Sequence, residues 1–145
     1  MKTLTLLTSL VLMLLPSVLL SQKVEDETDT KGWGNGRYWE QLDLNAKNQH
    51  LYGIEAGINL FANELFSQSK DDAEWNRTEN LRSKLTIAGF RFSDLVQQVD
   101  AFYKDRANIR IPVAYAYSYS VKKMSGDSPE LLERFLSSLR KQWNR

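Results

Sequence analysis

The chain has 145 residues, with 19 Lys and Arg against 18 Asp and Glu, one His and no Cys. A net charge of +1 excludes the strong basic excess of a nucleic-acid binder, and the missing thiols exclude disulfides, thiol nucleophiles and cysteine metal ligands. The length suits one ordinary domain built on a single core.

Residues 1–21 open with Lys2, continue as an apolar run from Leu4 to Leu20 and end on the small Ser21. A short basic start, an apolar centre and a small residue are the three parts of a secretory signal. The run falls just short of the roughly 20 apolar residues that span a bilayer, and Pro16 and the acidic Glu25, Asp26, Glu27 and Asp29 favour removal over anchoring. The expectation is a mature protein starting near Gln22, periplasmic or secreted, with no stable membrane insertion after the signal is removed.

Residues 22–36 are polar, acidic and glycine-rich, which predicts a flexible leader. Trp33, Tyr38 and Trp39 stand out from it as rings to cover one end of the fold, and a single domain over 37–145 follows. From Leu44 to Gln68, Leu51, Ile54, Ile58, Phe61 and Leu65 recur at steps of three and four behind Asp43 as N-cap, so a helix is predicted with these residues inward. Gly53 and Gly57 interrupt it, each costing roughly 1 kcal/mol relative to Ala. A close neighbour is expected to offset that cost: Trp39, one of Tyr115, Tyr117 and Tyr119, or another helix backbone.

Residues 72–84 carry a weaker helical pattern and Gly89 marks a turn. Ser93 is placed to cap a helix whose stripe is Leu95, Val96, Val99, Phe102 and Tyr103. Over 109–121 the apolar residues alternate with period two, as in a strand, yet Val113, Tyr117, Val121 and Met124 also share a helical face behind Pro112. Both remain open, with helix favoured because a strand has no adequate partner. Ser128 and Pro129 then start a final helix with Leu131, Leu132, Phe135, Leu136, Leu139 and Trp143 on its apolar face. The fold class is all-α, a small antiparallel helical bundle of three to four helices.

The chain carries no Gly-x-Ser-x-Gly elbow, and His50 alone makes no two-histidine metal site. No catalytic residue, cofactor or metal is assigned. Two acids, Glu55 and Asp100, lie within otherwise apolar helical segments; the bland role for Asp100 is a pair with Lys104 one turn on. If the two faced one cleft they would suit a carboxylate-dependent envelope hydrolase. An aromatic-lined, ligand-holding protein built on Trp33, Trp39 and Tyr115–Tyr119 is a further alternative.

Four segments taken in order, Lys47–Gly57, Gly89–Leu95, Val99–Tyr103 and Ile111–Val113, together resemble the Rap/Tai family of small periplasmic immunity proteins. The chain departs from it in lacking the family's cysteines and in placing Glu55-Ala56 before Gly57. The resemblance implies a helical fold and a protein partner, a peptidoglycan-cleaving toxin that is blocked without catalysis. Together with the residue pattern, it marks Trp39, Tyr52, Gly53, Glu55, Gly57, Asp100 and Tyr103 as structural or binding positions.

Overall fold

The computed structural model describes residues 28–87 and 89–144. The expected export signal, the expected cleavage near Ser21 and the first part of the expected leader lie outside the described residues. The described chain begins with a hairpin of β1 (Asp29–Thr30) and β2 (Trp33–Gly34), with Asp29 opposite Gly34 and Thr30 opposite Trp33. Lys31 and Gly32 connect them at φ 57° and 80°, and two successive positive φ values match the twist of a two-residue hairpin. Composition alone therefore extends the leader too far: Thr30, Asn35 and Gly36 are buried.

Six α-helices follow among the described residues, α1 (Gly36–Gln41), α2 (Leu44–Gln68), α3 (Asp72–Leu85), α4 (Phe92–Lys104), α5 (Val113–Met124) and α6 (Pro129–Trp143), with a 3-10 turn over Arg106–Asn108. The all-α class holds, and the number of helices exceeds the three to four that apolar stripes predict. The excess has a physical cause. α1 is short and rests on the Asn35 side chain, which accepts from the N–H groups of Arg37 and Tyr38, while α3 buries no residue at all, so neither shows a long apolar stripe.

Capping explains most of the boundaries. Asp43, Asp71 and Ser128 each accept from a backbone N–H three residues on, meeting one orphan donor of the first turn. At α4 the helix begins at Phe92 and has no side-chain cap, so Ser93 is inside the helix and does not cap it. Residues 113–124 resolve as helix, with Val113, Tyr117 and Val121 buried on one face.

Pairs of contacts give the packing. Asn59 meets Arg82 and Phe66 stacks on Trp75, so α2 and α3 run antiparallel. Lys47 meets Asp100 and Tyr52 meets Phe92, which sets α4 antiparallel to α2. Tyr115 meets Trp143 and Lys122 lies over Phe135, and α6 is antiparallel to α5. One core joins Trp39, Leu51, Leu95, Val99, Ile111, Val113, Tyr117, Val121, Leu139 and Trp143. The last α2 residue packed on it is Ile58, so the second half of α2 outruns the core.

Candidate docking surface

The seven positions marked by the sequence fall in separate places. Trp39, Asp100 and Tyr103 gather between α1 and α4. The buried Trp39 donates its indole N–H to Asp100 Oδ1 at 2.7 Å, and Lys47 Nζ donates to the same oxygen at 2.8 Å while lying 5.1 Å from the centre of the indole ring. Asp100 therefore pairs with Lys47 across two helices and not with Lys104. Tyr103 donates its hydroxyl to the Ile111 carbonyl at 2.8 Å, and burial pushes that hydroxyl far above its usual range. An open cleft of about 280 Å³ borders Trp39, Glu40, Asp100, Tyr103, Lys104 and Arg106. Glu40 and Arg106 close on each other at 2.6 Å, so most of its polar groups are spent on mutual contacts that hold α1 against the core.

Glu55 points the other way, toward α5. Burial raises its carboxyl above the usual range, opposed by the N–H of Ile87; burial first, and then the Glu55 charge, push the Tyr117 hydroxyl up. Glu55 Oε2 and Tyr117 Oη are both covered and unpaired. Eight residues separate Glu55 from Lys47, the partner of Asp100, which is about 12 Å of helix rise. Glu55 takes no part in the Asp100 cleft. The two acids are not brought together. Among the described residues, no three His, Asp or Glu side chains gather in a metal-holding group.

The aromatic residues do not line one cavity either. Trp33 is exposed on the hairpin, Tyr115 lies against Trp143, Tyr119 lies against Phe102, and Tyr117 is buried in the core.

Gly53 and Gly57 lie on the outer side of α2, in the open. A Cβ built on either glycine meets nothing within 4 Å, so no ring or backbone packs there. Gly34 and Gly36 are the glycines with close neighbours: a Cβ on Gly34 would stand 2.8 Å from the Tyr38 ring, and one on Gly36 2.5 Å from the Tyr103 ring. The same outer side exposes Leu60 at 72 % and Phe61 at 66 %, whereas Tyr52, nine residues before Phe61, lies on the opposite flank with its ring against Phe92 of α4. Stripe spacing places Phe61 inward; it sits at the edge of the stripe and turns to solvent, while its neighbour Ala62 is the buried residue of that turn. Periodicity does not single out Leu60, although one signal in the sequence marks this face. Between His50 and Glu64 the only charged residue is Glu55, and Glu55 is turned inward. The outer side of α2 thus runs 13 residues without a charge, an unusual composition for a solvated helix face.

No family model, curated protein or solved structure matches the chain. Among the described residues, no helix is long and apolar enough to cross a membrane.

Proposed function

We propose that this is an exported protein that works by binding another protein through the outer side of α2. One observation carries the reading: Leu60 and Phe61 stand exposed beside the open Gly53 and Gly57, on a side of α2 that carries no charge and where the fold itself makes no use of them. Exposed apolar side chains grouped on one element mark interaction surfaces, and aromatic residues are the commonest anchors there. Inhibition of a cell-wall-degrading toxin is the form of this role implied by the resemblance at Lys47–Gly57, a segment lying on α2 itself.

The test is a double variant, Leu60→Gln/Phe61→Gln, compared with the unaltered chain by native electrophoresis of freshly broken cell envelopes. The unaltered chain is expected to migrate as a complex and the variant at the mass of one chain, with the two melting alike once purified. Equal migration of the two overturns the reading.

A further inference from the structure

We infer that the occupant of the α2 surface is a second copy of this chain, related by a two-fold axis that passes α2 near Ala56 and Gly57. The inference rests on the docking role proposed for α2 and names its partner. Gln49, Gly53, Ala56, Leu60, Asn63 and Ser67 recur at alternating steps of four and three, and every one of them is exposed. That spacing puts them on one strip of the helix surface, Leu60 being its large apolar side chain among small and uncharged polar neighbours. The strip lies on the side of α2 opposite Leu51 and Ala62, the two α2 residues that are buried.

A surface that pairs with itself must be complementary to itself under the two-fold operation, and this one is. With antiparallel α2 helices centred between residues 56 and 57, Leu60 of each copy falls opposite Gly53 of the other. Ala56 falls opposite Gly57. The glycines offer open space where a side chain would stand, so each leucine meets a notch, and Phe61, on the glycine side of the strip, covers the same notch. Small residues at the crossing let the two backbones approach closely.

The charges agree with this pairing. No charged residue lies on the strip between Gln49 and Asn63, so like charges do not meet at the axis. The nearest carboxylate, Glu64, falls opposite the amide of Gln49, which can donate to it. With 25 residues, α2 is about 37 Å long and, at about 11 Å across, offers roughly 400 Å² per copy. A total near roughly 800 Å² lies below the roughly 1,200 Å² of a standard interface. The pair is therefore a weak one, to be sought at concentrations from about 1 µM to about 1 mM.

The experiment is sedimentation of the exported chain, purified after export, over that concentration range. The unaltered chain is expected to pass from monomer to dimer, while Gly57→Leu, which fills the trough at the axis, stays monomeric with an unchanged circular dichroism spectrum. Because the chain has no cysteine, Gly57→Cys should oxidise to a cross-linked dimer, and Ser67→Cys, whose two copies lie about 30 Å apart in the antiparallel pair, should not. Three results overturn the inference: a monomer at every concentration, a Gly57→Leu variant that pairs as the unaltered chain does, or cross-linking of Ser67→Cys as readily as Gly57→Cys. A purified chain that stays monomeric, yet migrates as a complex in envelopes in an α2-dependent way, overturns the self-pairing and leaves the docking role standing.

Discussion

Trp39 and Asp100, 61 positions apart in the chain, are joined by a 2.7 Å hydrogen bond from the indole N–H to the carboxylate. Because Lys47 reaches the same oxygen, one carboxylate ties α1, α2 and α4 together. Asp100→Ala leaves the indole N–H of the buried Trp39 without its acceptor, a loss of about 1–3 kcal/mol for a covered donor. Asp100→Asn keeps an acceptor and should lose less. Urea unfolding of the two variants checks this order, and equal stability of Asp100→Ala and the unaltered chain contradicts it.

The glycines divide into two kinds. Gly36→Ala drives a Cβ to 2.5 Å from the Tyr103 ring and 2.8 Å from Ile109 Cδ1, and Tyr103 is held in place by its bond to Ile111. Overpacking of this kind costs about 1–3 kcal/mol. Gly53→Ala enters open space on a helix and should add up to about 1 kcal/mol through propensity alone. Thermal melts at low protein concentration, where chains are separate, should show the two midpoints moving in opposite directions.

The contrast also shows what the sequence makes legible. The bounds of α2 follow from Asp43 and from the steps Leu51, Ile54 and Ile58, because capping and periodicity are local signals. The helix over 113–124 is legible for the same reason, once the absence of a strand partner is weighed. The fate of Phe61 is not, because at the edge of a stripe periodicity does not decide which of two neighbours turns inward, and here it is Ala62. Gly36 escapes notice because its neighbour, Tyr103, lies 67 positions away, whereas Gly53 and Gly57 draw attention only by being inside a helix. The pairing of Asp100 with Lys47 in place of Lys104 is a long-range contact of the same kind.

Glu55 gives a pH-dependent prediction. Its folded pKa is raised above 4.5 by burial, so its contribution to stability is present below pH 4.5 and is lost as pH rises through the folded value. At pH 7 the buried carboxylate is a burden that Glu55→Gln removes. The variant should melt higher than the unaltered chain at pH 7, with the difference closing at pH 4. A constant difference at both pH values contradicts the assignment.

His50 titrates with the opposite sign. It lies half-buried against Tyr38 and Trp39, and burial holds its pKa below 6.5. A neutral imidazole is preferred in the folded state, so this contribution is present above pH 6.5 and is lost as pH falls through the folded value. Melting midpoints of His50→Gln should fall less than those of the unaltered chain between pH 7.5 and pH 5.5; identical slopes contradict the burial effect.

The central claim is that the outer side of α2 is occupied by protein when the chain is at work. A photo-reactive residue in place of Leu60, with a second at Ser137 on the exposed side of α6 as control, reads that occupancy in intact cells. Irradiation should yield a discrete protein adduct from position 60 and none from position 137, the adduct having twice the chain's mass if the partner is a second copy. An equal, diffuse background from both positions would contradict the account.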